Sequence, residues 1–172
     1  MQAEGNVVRL PREAGAPPDF SAFFAEEHRA LFKALYFVTG NRADAQELMQ
    51  EAFLTLWERW DTIEEIHDPT GYLFRVALNG FRMRSRAARR ATRRLVAIDS
   101  SYDPFVEVDL REDVTRMLRS LTPRQRAALV LLDLYGYGSE DAAGIMRIRP
   151  STVRALATQG RAVLRNAGGP HG

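Results

Sequence analysis

The chain has 172 residues, of which 45% are hydrophobic, and this is enough for one medium-sized domain or two small ones with packed cores. It contains no cysteine, which excludes disulfides and thiolate metal sites and suits the cytosol, and its 3 histidines lack the spacing of metal ligands. No apolar run of about 18 residues and no signal-peptide pattern is present, so we expect no membrane insertion.

The net charge is only +2, but the charges lie in blocks. Residues 44–65 carry seven acids and one base, and residues 99–113 carry six acids and one arginine. Residues 72–98 carry eight arginines and no acid, and residues 147–165 carry five arginines and no acid. Two basic blocks that alternate with acidic ones predict two separate nucleic-acid contacts, with the acidic surfaces left for protein partners.

The N-terminal part predicts a tail followed by a helix. Residues 1–18 are rich in Gly, Ala and Pro and show no periodicity, so we interpret them as a mobile tail. Asp19 then fits an N-cap, aromatic and aliphatic residues follow at helical spacing, and Gly40 fits the position just past a helix end. Asn41 is placed to cap a second helix.

The second helix, Asp44 to Trp60, contains no Gly or Pro and consists mainly of good helix formers. At about 100° per residue, one half of it is apolar and is predicted to be core. That half consists of Ala45, Leu48, Met49, Ala52, Phe53, Leu56, Trp57 and Trp60. The other half carries acids and an amide around Leu54. It fits a protein-docking surface with an apolar anchor and a polar rim, and equally a solvated face with one stray leucine.

A third helix is predicted after the segment 61–68, with Asp68 as its cap and Pro69 at its first position. Its outward arc carries five arginines and one amide: Arg75, Asn79, Arg82, Arg86, Arg89 and Arg93. Cations crowded on one arc repel one another without a polyanion, so DNA is a better interpretation than a solvated basic face. An amide such as that of Asn79 can hydrogen-bond a base edge.

The second half of the chain begins after an acidic, aperiodic segment, residues 95–108, which we interpret as an interdomain linker. Thr122-Pro123 predicts the start of a helix that ends at Gly136. Ser139 is predicted to cap the short helix that follows. After a three-residue turn, a basic helix begins at Pro150, and together these two helices predict a helix-turn-helix.

This last helix has an apolar side and a polar outward arc. The arc consists of Ser151, Arg154, Thr158, Arg161 and Arg165. Its N-terminal members are placed to reach base edges, and its later arginines are placed to reach phosphates.

The segment ADAQELMQEAFLTLW, residues 43–57, closely resembles the core-polymerase-binding segment of extracytoplasmic-function (ECF) sigma factors. The resemblance implies that the acidic face docks on the clamp helices of the largest catalytic subunit of core RNA polymerase. The residues to which it assigns this role are Asp44, Glu47, Gln50, Glu51 and Leu54.

The third helix is similar to the region of the same family that melts and reads the promoter's −10 element, on the basis of Leu73-Phe74-Arg75 and Asn79. The residues implied in −10 binding are Arg75, Asn79, Arg82 and Arg86. In the family the loop before this helix holds an unpaired base, which implicates residues 61–68.

The motifs LTPRQR and STVR within residues 121–165 resemble the family's −35-reading region. The residues implied in −35 binding are Arg149, Ser151, Thr152, Arg154, Thr158 and Arg161. The sequence departs from the family at three positions. Arg147 replaces a turn glycine, Arg149 replaces a capping serine, and Leu156 replaces an arginine.

The implied fold class is all-α, with two small helical domains joined by a flexible linker. The predicted divisions are an N-terminal tail (1–18), a sigma region 2-like domain (19–94), an acidic linker (95–108), a sigma region 4-like helix-turn-helix domain (109–166) and a C-terminal tail (167–172).

The resemblance implies a cytoplasmic ECF-type sigma factor that binds core RNA polymerase, promoter DNA and an anti-sigma factor, joins the nucleoid within the holoenzyme and needs no cofactor. No nucleophile–base pair, metal constellation or phosphate loop is visible, so we expect no enzymatic activity. Residues 121–165 also resemble the LuxR-type output domain, so the alternative is a stand-alone helix-turn-helix regulator that dimerises on a palindrome. A third alternative, an all-α enzyme, has only unsupported carboxylates in its favour.

Overall fold

The computed structural model describes residues 19–92 and 112–167, and in both ranges the chain forms helices joined by turns. The first range contains α1 (Phe20–Thr39), α2 (Arg42–Trp57), a 3₁₀ helix (Trp60–Glu65) and α3 (Pro69–Thr92). The second contains α4 (Glu112–Arg119), α5 (Pro123–Leu129), a π-helical turn (Val130–Leu134), α6 (Ser139–Met146) and α7 (Pro150–Ala167). The predicted all-α fold with two helical units is confirmed. The predicted N-terminal tail and linker, and all of the predicted C-terminal tail except Ala167, lie outside the described residues.

The turn between α1 and α2 has the caps that the sequence predicts. The carboxylate of Asp19 accepts a hydrogen bond from the amide of Ser21 at 3.0 Å, which caps the start of α1. Gly40 ends this helix at φ 67°, a left-handed conformation that strains any residue with a Cβ. Asn41 Oδ1 then accepts from the amide of Asp44 at 3.0 Å. These caps allow α2 to fold back against α1 at once.

The start of α3 is also as predicted. Asp68 Oδ1 accepts a hydrogen bond from the amide of Gly71 at 3.0 Å, and Pro69 is the first helical residue. The preceding 3₁₀ helix is anchored by its buried Trp60 and Ile63. The entry of α3 is therefore fixed both by its cap and by the core beneath it.

The core of the first unit lies where α1, α2 and α3 meet. Its largest fully buried side chains are Leu31, Leu35, Val38, Leu48, Leu56, Leu73 and Phe74. The apolar half of α2 is buried as predicted, except that Met49 is only partly buried and Trp57 is 56% exposed. The core prediction for Trp57 is therefore wrong. Its ring packs edge-on against Phe20, the first residue of α1, at 4.7 Å between centroids, and α1 does not extend further to cover the rest of the indole.

The second unit begins with a short α4 and a firmly capped α5. Thr122 Oγ1 accepts from the amide of Gln125 at 3.2 Å, and Gln125 Oε1 accepts from the amide of Thr122 at 3.0 Å. This capping box satisfies two amides that a helix start otherwise leaves free. The helix continues as the π-helical turn, in which the amide of Tyr135 donates to the carbonyl of Val130 at 3.0 Å. Gly136 follows at φ 70°, as expected for a residue past a helix end.

The helix-turn-helix is formed by α6 and α7. The prediction that Ser139 caps α6 is wrong, because Gly138 occupies the cap position and Ser139 is the first helical residue. The hydroxyl of Ser139 instead accepts a hydrogen bond from Arg154 of α7 at 3.0 Å. Arg147 ends α6 at φ 55° and ψ 48°, a left-handed conformation that glycine adopts without strain.

The two units pack against each other. The rings of Phe74 and Tyr135 meet edge-on at 4.7 Å between centroids. α1 contacts α5 and the π-helical turn, while α3 contacts α6. At the first of these contacts Arg126 is half-buried beside Gly40, and burial lowers the pKa of its guanidinium. The helical units therefore share one continuous apolar cluster.

Candidate docking and nucleic-acid interfaces

The acidic half of α2 lies on the surface. Glu47, Gln50 and Glu51 are exposed, Asp44 is half-buried, and Leu54 is 63% exposed in their midst. Trp57, one turn beyond Leu54, adds a second large apolar side chain to this surface. We call the set Asp44, Glu47, Gln50, Glu51, Leu54 and Trp57 the docking face. Two apolar side chains beside carboxylates give it the composition of an interface centre with its polar rim.

Two carboxylates of the docking face are joined by an arginine of α3. Arg84 Nη1 donates to Glu47 Oε2 at 2.7 Å, and Arg84 Nη2 donates to Glu51 Oε1. Burial lowers the pKa of Arg84, but the charges and hydrogen bonds of Glu51 and Glu47 outweigh it and raise the pKa above its ordinary value. The guanidinium therefore stays charged and forms part of the α2–α3 contact.

The predicted −10 residues lie together on one side of α3. Arg75 and Arg86 are exposed, while Asn79 and Arg82 are half-buried. Asn79 Oδ1 accepts a hydrogen bond from Arg82 Nη2 at 2.7 Å, so the amide oxygen is already held by the arginine one turn away. The structure thus brings these four side chains onto one surface and pairs the two at its centre.

The predicted −35 residues lie along the outer side of α7. Arg149, Ser151, Arg154, Thr158 and Arg161 are exposed, and Thr152 is half-buried. Two of the arginines are bound within the unit. Arg154 donates to Ser139, and Arg161 forms a forked pair with Asp133 of the π-helical turn, with Nε at 3.1 Å from Oδ2. The hydrogen bond and charge of Asp133 raise the pKa of Arg161.

The start of α7 is strongly basic. The backbone carbonyl of Arg149 accepts from the amide of Val153 at 3.1 Å, which makes Arg149 the cap residue of this helix. A guanidinium has only donors, so it cannot close the helix start as a serine does. The exposed Arg147 and Arg149 therefore place two cations at the positive end of a helix, where anions bind.

Each of the two helical units matches the model of a known protein family. The family model described as Sigma-70 region 2 matches residues 23–91, and the one described as Sigma-70, region 4 matches residues 111–164. Together these matches extend from α1 to α7 and cover most of the chain.

The chain belongs to the sigma-70 family, in its ECF group. It is 28% identical to the ECF RNA polymerase sigma factor SigE of Mycolicibacterium smegmatis, over 90% of this chain and 63% of SigE. It is 27% identical to the ECF RNA polymerase sigma factor SigM of Mycobacterium tuberculosis, over 88% of this chain and 78% of SigM. The chain thus spans less than two thirds of the length of SigE.

A solved structure shares the fold. It is the sigma factor RpoE in complex with the anti-sigma factor NepR from Bartonella quintana, with a TM-score of 0.67, 22% identity and coverage of 87% of this chain and 96% of RpoE. The match of the N-terminal half to region 2 disfavours the alternative of a stand-alone LuxR-type regulator.

Region 2 and region 4 of this sigma factor enclose a groove of about 690 Å³. The predicted −10 side chains line one wall and the helix-turn-helix lines the other, including Arg147 and Leu156. The arginines around the groove are Arg75, Arg82, Arg86, Arg89, Arg124 and Arg147. Apolar side chains also line it, among them Val38, Leu78, Phe81, Ile145, Met146 and Ile148. Its volume is in the range of sites that hold a small ligand or a peptide segment.

Sequence reasoning missed three residues of these surfaces. Trp57 was assigned to the core, although its place three residues after Leu54 signals a shared face. Arg84 was not singled out, because its partners lie 37 and 33 residues away along the chain and no local pattern marks such a pair. Asp133 was not singled out, because its partner Arg161 lies 28 residues away along the chain.

The described residues offer neither a metal site nor a membrane-spanning helix. Within residues 19–92 and 112–167, no three His, Asp or Glu side chains are grouped so that they could hold a metal ion. In the same part of the chain, no helix has the length and apolar character needed to cross a membrane.

Proposed function

We propose that this chain is an RNA polymerase sigma factor that binds core polymerase through the docking face and promoter DNA through α3 and α7. The observation that carries the proposal is the docking face itself. Leu54 and Trp57 are more than half exposed on a helix whose opposite side buries Ala45, Leu48, Ala52, Phe53 and Leu56. Folding does not require two large apolar side chains to stay this exposed within an acidic rim, and they match the anchors of a protein interface.

The division of charge supports separate roles for the surfaces. The docking face is acidic and suits a basic protein surface, whereas α3 and the start of α7 are basic and suit phosphate. We assign −10 binding to Arg75, Asn79, Arg82 and Arg86. We assign −35 binding to Arg149, Ser151, Thr152, Arg154, Thr158 and Arg161. Catalysis of RNA synthesis remains with the polymerase, and the protein acts in the cytoplasm and on the nucleoid.

The arrangement of the two regions suggests how the protein is held before use. Because the predicted −10 side chains line the groove shared with region 4, we propose that the regions separate when core polymerase binds. The related RpoE is bound by the anti-sigma factor NepR, and a groove with six arginines and an apolar lining suits an acidic amphipathic segment of such a partner here. Core polymerase and the anti-sigma factor should then compete, and saturating core polymerase should release the anti-sigma factor.

The proposed function is tested by reversing charge on the docking face. We expect Glu47→Arg with Glu51→Arg to abolish association with core RNA polymerase, because two charges that attract a basic partner become repulsive beside the apolar anchors. Both side chains are exposed, but the change also replaces two ion pairs with Arg84 by like charges, so the free energy of unfolding should fall by about 1–2 kcal/mol. The measurement is co-elution of the full chain with core polymerase at moderate salt.

A matched control makes the same change of charge elsewhere. Glu26 and Glu64 are exposed in α1 and in the 3₁₀ helix, away from the docking face. Glu26→Arg with Glu64→Arg should leave co-elution with core polymerase unchanged. If the docking-face variant is folded and still co-elutes like the wild type, the proposed function is wrong.

A further inference from the structure

One arginine of α3 faces the docking face. The guanidinium of Arg84 spans Glu47 and Glu51 of α2 and gives one terminal nitrogen to each carboxylate. Glu47 and Glu51 are one turn apart on the same helix, where like charges repel. A single cation placed between them removes that repulsion and fixes both side chains with respect to each other.

The packing of α3 on α2 brings Arg84 within reach. Gly80, one turn before Arg84, faces α2, and a Cβ at this position would lie 3.0 Å from a methyl carbon of Leu48 and 3.6 Å from Glu51 Oε2. The contact with Leu48 is tighter than most Cβ contacts, so the missing side chain allows the two helices their close approach. The bridge therefore depends on the fold of region 2 and not only on the length of the arginine side chain.

The bridged carboxylates remain open to a partner. The side chain of Arg84 is 33% exposed, whereas those of Glu47 and Glu51 are 63% and 53% exposed. A carboxylate has about four acceptor positions, and Arg84 uses one oxygen of each. A cationic side chain from another protein can therefore bind the same carboxylates while Arg84 holds them.

We propose that Arg84 is a positioning residue of the docking face, which holds Glu47 and Glu51 in place for basic side chains of core RNA polymerase. The inference rests on the proposed function. It assigns Arg84 to polymerase binding, whereas its neighbours on α3 are assigned to DNA.

Positioning and charge act on different rate constants. Removal of Arg84 makes the docking face more acidic, and this change alone would speed association with a basic partner. It also frees the side chains of Glu47 and Glu51, which must then be ordered when the complex forms. The resulting loss of binding free energy appears mainly as faster dissociation. We expect the second effect to dominate, with dissociation about 10-fold faster for two side chains.

The test measures association and dissociation of the full chain on immobilised core polymerase. Arg84→Met removes the bridge, and Arg90→Met is the matched control, since Arg90 is exposed on the same helix and no carboxylate in the described ranges pairs with it. Dissociation should become about 10-fold faster for Arg84→Met and stay within about 2-fold for Arg90→Met. Arg84→Lys should recover part of the loss, because an ammonium retains the charge but lacks the planar fork.

A double-mutant cycle separates positioning from a structural role. In a chain that carries Glu47→Ala and Glu51→Ala, Arg84→Met should change dissociation by no more than about 2-fold, because nothing remains to be positioned. If Arg84→Met dissociates no faster than Arg90→Met, or if its effect persists in the alanine background, the inference is overturned. If instead the Glu47→Arg, Glu51→Arg chain binds like the wild type, the proposed function fails and the inference fails with it.

Discussion

Two helices of this sigma factor begin at a charged residue followed by proline, and they begin in opposite ways. α3 starts at Asp68-Pro69, and the carboxylate of Asp68 accepts a hydrogen bond from the amide of Gly71 at 3.0 Å. α7 starts at Arg149-Pro150, where the cap residue has no acceptor in its side chain. The acidic cap completes its own helix start. The basic cap cannot, and it adds a cation where the helix dipole is already positive.

The difference separates a helix start that supports the fold from one suited to an anion. Asp68 stabilises the entry of α3 into the core of region 2, whatever is bound. Arg149, with the left-handed Arg147 two residues before it, costs stability in the free protein, and a DNA phosphate would reverse that cost. Exchanging the two kinds of cap tests which helix start supports the fold and which one binds an anion.

Arg149→Asp gives α7 the cap that α3 has. We expect affinity for a duplex that contains the −35 element to fall about 10-fold or more, because a hydrogen bond to a charged group contributes about 1.5–3 kcal/mol and the new carboxylate repels phosphate. Stability should rise by about 1 kcal/mol, since a side-chain oxygen now caps the helix. Fluorescence anisotropy over a salt titration and urea unfolding measure the two effects. Arg119→Asp, an exposed change in α4, controls for net charge; equal losses in both variants would contradict a specific contact at Arg149.

Asp68→Arg makes the converse exchange. It removes a cap worth about 1 kcal/mol and places a cation at a helix start, which costs up to about 1 kcal/mol more. We therefore expect urea unfolding to show a loss of about 2 kcal/mol, with Asp68→Ala losing about half as much. Should Asp68→Arg be as stable as the wild type, the cap of α3 would not have the role given to it here.

Arg147→Gly relieves the left-handed residue in the turn. A non-glycine residue in this conformation costs roughly 1 kcal/mol, so the free energy of unfolding of the glycine variant should be about 1 kcal/mol higher than that of the wild type. Arg147→Ala removes the same charge but keeps a Cβ, and its stability should stay near that of the wild type. If the alanine variant gains as much as the glycine variant, charge and not conformation destabilises the turn.

Local chemistry explains which parts of the fold the sequence could predict. The caps at Asp19, Asn41, Asp68 and Thr122 depend on atoms within three residues, and all four are confirmed. The cap predicted at Ser139 is wrong by one residue, because Gly138 adopts the cap conformation without needing a side chain. A helical wheel also misplaced Trp57, since it shows direction around a helix but not how far the neighbouring helix extends.

The candidate sites were predictable to a different degree. The exposed acidic face of α2 follows from periodicity, and the structure places its residues on one surface. The bridge from Arg84 to Glu47 could not be predicted, because it depends on how closely α3 approaches α2. The roles in polymerase and DNA binding rest on the family resemblance and stay predictions until the variants above are measured.

The π-helical turn gives region 4 a place where the chain can change its length by one residue. The hydrogen bond from the amide of Tyr135 to the carbonyl of Val130 spans five residues, one more than the hydrogen bonds of an α-helix. Five residues of π-helix turn the chain about as far as four residues of α-helix. Deleting one residue within Val130–Leu134 would therefore let the segment rewind as α-helix and leave the following side chains pointing in nearly the same direction, so that Tyr135 keeps its contact with Phe74. We expect related chains to differ by one residue in length here more often than elsewhere in the same helix.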